Sequence, residues 1–258
     1  MQKNKPTLSV IITALNEESS IISVINNILN AFERFEINGD IIVVNDGSTD
    51  STKKLVESFM EKDKRIKLIN HKTPQGVGKS FWDGVDFSNN EVVVWFPADN
   101  ENDPNEILRY YDLINEVDLV LPFIFNKEVR PFFRNFLSSV YRFIINTTFF
   151  SSFNYTNGTS LYRKCVLERL NRRDYGFFFQ TDIIIRASKM GYLFSEVPCR
   201  LNPKNKRTSK AISIKSFLSV AKGYLRLFFD FYIFHRIIKE KEFSFNSATR
   251  LRRLNDKR

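Results

Sequence analysis

The chain has 258 residues, 26 % of them charged and 43 % hydrophobic, with 26 phenylalanines. That is enough apolar surface to bury a core and too much for disorder as the main state. The formal charge of +10 is uneven: residues 1–126 hold 12 Lys+Arg against 20 Asp+Glu, net −8, and residues 127–258 hold 27 against 9, net +18. A basic, aromatic back half is drawn to nucleic acid, anionic lipid or a phosphorylated substrate, and charge alone does not choose among them.

Cys165 and Cys199 are too few for a disulfide framework and lack metal-ligand spacing. They read as small core residues in a reducing compartment. Lys3 and Lys5 precede an apolar run from Leu8 to Leu15, but the run ends in Asn16-Glu17-Glu18 without a small-residue cleavage site, so no signal peptide is expected. Lys215, Lys222, Arg226, Asp230 and Arg236 interrupt the most apolar late segment, so no membrane-spanning helix is expected either.

In chain order, Leu8 to Thr13, Asp40 to Asn45, Ile66 to Asn70, Glu91 to Phe96 and Asp118 to Pro122 read as strands, most with the continuous apolar run of a strand buried on both faces. Glu18 to Phe35, Ser51 to Asp63, Gly78 to Phe87 and Pro104 to Glu116 read as helices between them. Asp103 before Pro104 is an N-cap with proline at the first helical position. Repeated strand-helix units of this length predict an α/β fold, a Rossmann-like, mostly parallel sheet with helices on both faces.

The alternation then stops. Arg130 to Phe153 is Phe-rich with Arg130, Arg134 and Arg142 interleaved, suiting an amphipathic helix or pair of helices. A compact stretch from Asn157 to Leu170, a helix around Thr181 to Lys189 and a strand from Tyr192 to Pro198 follow. Ser216 to Ile238 is a second apolar segment with basic punctuation, and Lys239 to Arg258 reads as a mobile basic tail.

Ligands of open parallel sheets bind beyond the carboxyl ends of the strands. Here those ends read Thr13-Ala14-Leu15-Asn16-Glu17, Asn45-Asp46-Gly47-Ser48-Thr49-Asp50 and Pro97-Ala98-Asp99-Asn100-Glu101-Asn102-Asp103. Acids converging on one edge are costly unless offset, which points to a divalent cation holding a phosphate-bearing ligand. Turn chemistry and helix capping explain any one of these loops as well. Pro74-Gln75-Gly76-Val77-Gly78-Lys79-Ser80 opens a helix where amides and a lysine can face an anion, without the spacing of a triphosphatase loop.

In this order the segments resemble family 2 glycosyltransferases of the GT-A fold, in the branch similar to dolichol-phosphate mannose synthase, from Leu8 to about Lys210. Ala14-Leu15-Asn16-Glu17 resembles the proline-alanine-x-asparagine-glutamate segment with Thr13 in the proline's place, and Val44 to Asp50 resembles VDDGSxD with Asn45 for the first aspartate. Pro97-Ala98-Asp99-Asn100-Glu101 lines up with the Asp-x-Asp-x-Gln metal motif, its first aspartate missing. Asn157 to Lys164 resembles the small-residue turn and LYRR strand before the acceptor site; Glu196-Val197-Pro198 matches an EVP strand, and Arg207-Thr208-Ser209-Lys210 a late R-x-x-x-S-K loop.

The resemblance implies a GT-A domain over 1–210, divided into a nucleotide-sugar half (1–126) and an acceptor half (127–210), with a basic amphipathic helical segment over 211–258. It implies an inverting, metal-dependent transfer from a nucleotide-diphosphate sugar. The donor would be held by Ala14, Asn16, Glu17, Asp46, Gly78, Lys79, Asp99, Arg207 and Lys210, and Mg2+ or Mn2+ by Asp99 and Glu101. Asp182 stands where members carry an acid opening a helix under the sugar, the expected general base or acceptor orienter. The Phe-rich basic segments suggest an enzyme peripheral on the inner face of the membrane, in the cytoplasm, acting on polyprenyl phosphate or a lipid-linked glycan. The alternatives are a soluble or polysaccharide hydroxyl acceptor, or a sugar-nucleotide binder without transfer. A nucleic-acid partner is not expected, because the phenylalanines fall in helical patterns without a recognition motif; a homo-oligomer stays open.

Overall fold

A computed structural model describes residues 5–201 and 214–255. Seven strands, β1 (Leu8–Ala14), β2 (Gly39–Asn45), β3 (Ile66–Asn70), β4 (Val92–Pro97), β5 (Leu119–Ile124), β6 (Leu161–Arg163) and β7 (Phe194–Cys199), pair in the order β3-β2-β1-β4-β6-β5-β7. The first four in that order are mutually parallel. Short β6 runs antiparallel to both β4 and β5, and β7 returns parallel to β5.

The β-branched runs of β1, β2 and β4 are buried on both faces because helices cover both. On one side Val10, Ile12, Val92 and Val94 pack with Val24, Ile28 and Phe32 of α1 (Ile21–Arg34). On the other, Ile11, Ile42, Val44 and Val93 meet Phe81, Trp82 and Val85 of α3 (Val77–Phe87) and Ile183 and Ile184 of α7 (Phe179–Met190). The helix α2 (Thr52–Lys62) follows β2.

Two sequence expectations change. The helix expected over Pro104 to Glu116 breaks into α4 (Pro104–Leu108) and a 3-10 turn over Tyr111–Asn115; Asp103 does cap α4, accepting the Asn105 N–H at 2.9 Å. Of the two arrangements expected for Arg130 to Phe153 the chain forms the single helix, α5 (Phe132–Phe149), and α6 (Lys164–Glu168) follows β6. The basic tail is docked: beyond α8 (Ile214–Tyr232), Phe243 and Ala248 are buried and α9 (Ala248–Asn255) ends the described chain. Buried Asp118 accepts from the Ala248 N–H at 2.7 Å, the Thr249 N–H at 3.0 Å and the Thr249 hydroxyl, satisfying donors at the start of α9. Leu227 and Phe243 belong to the same apolar cluster as α3 and α7, so residues 214–255 pack as part of the main fold. Burial pushes the Cys165 thiol up to about 11 and the Cys199 thiol up to about 12, as packed rather than reactive groups require.

Candidate functional site

The carboxyl ends of β2, β1 and β4 lie side by side, with Ala14 beside Asn45 and Thr13 beside Pro97. The loops after β1 and β2 are laced together. Ala14 accepts the Asp46 N–H at 2.8 Å, Asn16 donates its N–H to Ser48 Oγ at 2.9 Å and accepts the Thr49 N–H at 2.8 Å, and Glu17 donates its N–H to Thr52 Oγ1 at 2.9 Å. The Glu17 carboxylate accepts the Ser20 hydroxyl at 3.0 Å. Asn16, at φ 55°, adopts the left-handed turn that asparagine tolerates better than most residues. Asn45, in the first-aspartate position, donates to Asn70 Oδ1 at 2.5 Å and accepts the Ser48 N–H at 3.3 Å.

Asp46 is buried and heavily hydrogen-bonded. One oxygen accepts the Gln75 N–H at 2.7 Å and faces His71 Nδ1 at 2.8 Å; the other accepts the Gly76 N–H at 2.8 Å. Burial works to raise its pKa, but the bonds from His71, Gln75 and Gly76 outweigh it and hold the carboxyl below its ordinary value. Gly47, at φ 74°, lies so close to Pro74 that a Cβ would meet its nitrogen at 2.8 Å, which keeps the two loops in contact. At Gly78 a Cβ would sit 2.5 Å from the Tyr175 carbonyl carbon, so the glycine lets α3 press against residues 175–176. The Lys79 ammonium pairs with Asp83 one turn along α3.

After β4, Asp99 accepts the Glu101 N–H at 3.0 Å, and Asn100 between them, at φ 60°, is held from α1 by Asn27 and Ser23, each at 3.1 Å. Burial first, and then the Asp99 charge, push the Glu101 carboxyl above its ordinary value, while Arg134 and Arg130 pull it back. Two carboxylates that resist ionising together fit a hard divalent cation that takes its other ligands from phosphate oxygens. Among the described residues no cluster of three His, Cys, Asp or Glu side chains forms a self-sufficient metal cage.

Asp182 is a correction. It lies in the first turn of α7 but is 1 % exposed, and both its oxygens accept from Arg186 Nε at 2.9 Å. Arg186 also reaches Asp230 of α8 at 2.7 Å, and Arg172 and Arg236 join Asp230 at 3.0 and 3.2 Å. Burial pushes the Asp182 carboxyl up to about 6 against the pull of Arg186. A carboxylate held in this way fastens α7 to α8, and among the described residues it is closed to solvent. Arg207 and Lys210 lie outside the described residues.

Two features escaped the sequence reading. A recess between β5 and α5 is lined by Lys127, Arg130, Arg142, Ser138, Ser139 and Tyr155, and the charge of Arg130 is felt at Glu101; its arginines were legible only as punctuation of an amphipathic helix. His71, just after β3, bridges Asp46 and Asp83, and only its position at a strand end marked it. The apolar side of α5 is bare: Phe132 is 86 % exposed, and Phe133, Phe136, Val140 and Phe143 are exposed along the same helix. Phe217, Leu218, Leu225 and Phe229 form a similar stripe on α8, which meets α5 where Tyr224 bonds Thr148 at 2.9 Å. No helix among the described residues is long and apolar enough to cross a membrane.

Residues 9–170 match the glycosyl transferase family 2. The chain belongs to that family. It is 27 % identical over 217 residues to a polyprenol monophosphomannose synthase of Mycolicibacterium smegmatis, covering 78 % of this chain and 79 % of that protein. It is 24 % identical over 232 residues to an uncharacterized protein of Methanocaldococcus jannaschii, covering 85 % of this chain and 98 % of the other. Glucosyl-3-phosphoglycerate synthase of Mycobacterium tuberculosis, crystallised with Mn2+, UDP and phosphoglyceric acid, superimposes with a TM-score of 0.66 at 17 % identity, over 86 % of this chain and 78 % of that one; another crystal of that enzyme holds Mg2+ and UDP. The family 2 chain thus has the expected GT-A fold, a nucleotide-sugar transferase architecture.

Proposed function

We propose that this family 2 glycosyltransferase moves a sugar from a nucleoside diphosphate sugar to a phosphate-bearing, lipid-linked acceptor such as polyprenyl phosphate, inverting the anomeric centre. The observation that carries the reading is the pair of bare aromatic stripes on α5 and α8 together with an arginine-lined recess whose Arg130 acts electrostatically on Glu101. The name of the M. smegmatis relative supports a polyprenol acceptor. The protein would sit peripherally on the inner, cytoplasmic face of a membrane, phenylalanines in the acyl boundary and cations toward anionic headgroups.

The donor nucleotide would occupy the edge formed by Ala14, Asn16, Glu17 and the loop that Asp46 holds, with Lys79, Arg207 and Lys210 as the cations nearest in sequence to the diphosphate motifs. Asp99 and Glu101 would hold Mg2+ or Mn2+, which when bound offsets charge on the leaving diphosphate. Arg130 and Arg134, whose charges already reach Glu101, would orient an acceptor phosphate through paired N–H donors. A phosphate is anionic at neutral pH and attacks without a strong base, which suits a site whose one expected base, Asp182, is locked to Arg186.

One observation favours a second reading: the M. tuberculosis enzyme that shares the fold was crystallised with phosphoglyceric acid, a soluble phosphorylated acceptor. Incubating the protein with UDP- and GDP-sugars, Mn2+ and either polyprenyl phosphate in vesicles or 3-phosphoglycerate separates the two. The proposal expects a glycosylated lipid; a soluble product alone selects the second reading, and donor hydrolysis without transfer to either overturns both.

A further inference from the structure

We propose that His71 is a positioning residue for the donor nucleotide, an imidazole donating from both nitrogens that sets the loop of residues 73–76 before any ligand arrives. The inference rests on the donor reading above. Its ring, 13 % exposed, lies between two carboxylates, with Nδ1 2.8 Å from Asp46 Oδ1 and Nε2 3.0 Å from Asp83 Oδ2. Carboxylate oxygens accept, so both contacts are hydrogen bonds only when both ring nitrogens carry protons; the protonation is assigned from these partners. Asp83 is paired on its other side with Lys79, and Asp46 takes the backbone N–H groups of Gln75 and Gly76. A line of polar contacts, Lys79, Asp83, His71, Asp46, therefore runs from α3 to the loop backbone.

His71 is the side chain that ties Asp46 to α3. Without it Asp46 keeps its two backbone donors but loses its side-chain donor, and the aim of the carboxylate is set only by the loop it is meant to hold. A loop ordered in advance spares the donor the cost of ordering it on binding.

Hydrogen exchange of the nucleotide-free protein tests this directly. In His71→Gln and His71→Ala, protection of the Gln75 and Gly76 amides should fall on the order of tenfold or more, as expected when a charge-assisted bond that fixes their acceptor is lost, while β1 and β4 amides keep theirs. In the wild-type protein, long-range nitrogen NMR should show both His71 ring nitrogens as N–H. Calorimetry with UDP and with GDP in Mn2+ should show the nucleotide that binds wild type losing a similar factor on His71→Gln. Unchanged exchange at Gln75 and Gly76, or a ring with one protonated nitrogen, overturns the proposal; the ring signature is read on wild type and decides even where a variant unfolds. Wild type binding neither nucleotide overturns the donor reading instead, with the exchange result still standing for the loop.

Discussion

Asp46 and Asp182 are both buried carboxylates in motif positions, and they are held by different kinds of donor. Asp46, at the end of β2, takes two loop N–H groups and a histidine at the sheet edge. Asp182, in α7, takes a single arginine that continues to Asp230 in α8. Asp46 shapes a loop beyond a strand end, whereas Asp182 neutralises an arginine between two helices. Of these two motif positions, the one where the backbone turns at a strand end orders a loop and the one a turn inside a packed helix fastens helices together.

The variant expected to have the largest effect is Asp99→Asn, at the strand-end side of the contrast. Steady-state turnover in saturating Mn2+ should fall by about 10³-fold or more, the scale of losing a charge-stabilising group, with the melting temperature little changed. On the fastening side, Asp182→Ala leaves the buried Arg186 Nε without its acceptor while Asp230 keeps the other end of the guanidinium, and urea unfolding should show a loss of about 1–3 kcal/mol. If Asp182 acted as a base, its removal would instead cost turnover and spare stability.

Much of this contrast was legible before the fold was known. Continuous β-branched runs identified β1, β2 and β4, because only a strand covered on both faces tolerates them, and the polar text after each run located the edge where Asn16, Asp46 and Asp99 gather. What could not be read depended on contacts between distant segments. The acid at 182 satisfies a motif equally well whether it faces an acceptor or Arg186, and Asp230, 48 positions later in the numbering, decides which. The tail from Lys239 looked mobile because its charge is local information, whereas Asp118, which caps α9, lies far upstream. The sequence marks Lys79 as a donor cation, and its ion pair with Asp83 one helical turn away is a contact that only the structure supplies.

A smaller effect sharpens the comparison at the surface. Phe133→Glu with Phe136→Glu removes rings that are more than half exposed, so stability should change by no more than about 1 kcal/mol. Sedimentation with anionic vesicles should weaken at least about tenfold, since burying one phenylalanine contributes about 1.5–3 kcal/mol. Wild-type binding should weaken with salt yet keep a fraction that salt does not strip; unchanged pelleting of the double variant would put the membrane contact elsewhere.

The smallest effect is in pH. Asp46 has its native pKa below the ordinary 3.8, so its contribution to stability is full above about pH 4 and is lost as pH falls through the lower native value. Asp182 has its native pKa raised from 3.8 to about 6, so its contribution is full below about pH 4 and is lost as pH rises toward 6. In urea titrations, the wild-type advantage over Asp46→Asn should grow as pH rises toward 4, and the advantage over Asp182→Asn should shrink between about pH 4 and 6. Neither slope should exceed about 1.4 kcal/mol per pH unit.

The central claim is that the nucleotide and its cation sit at the ends of β1, β2 and β4, and that Asp182 stands outside that site. Calorimetric titration of UDP and of GDP, each with and without Mn2+, into wild type, Asp99→Asn and Asp182→Asn measures this in one series. The account predicts that Mn2+ tightens nucleotide binding to wild type and to folded Asp182→Asn alike, and that Asp99→Asn loses the Mn2+-dependent gain. Retention of that gain in Asp99→Asn, or its loss in folded Asp182→Asn alone, would contradict it.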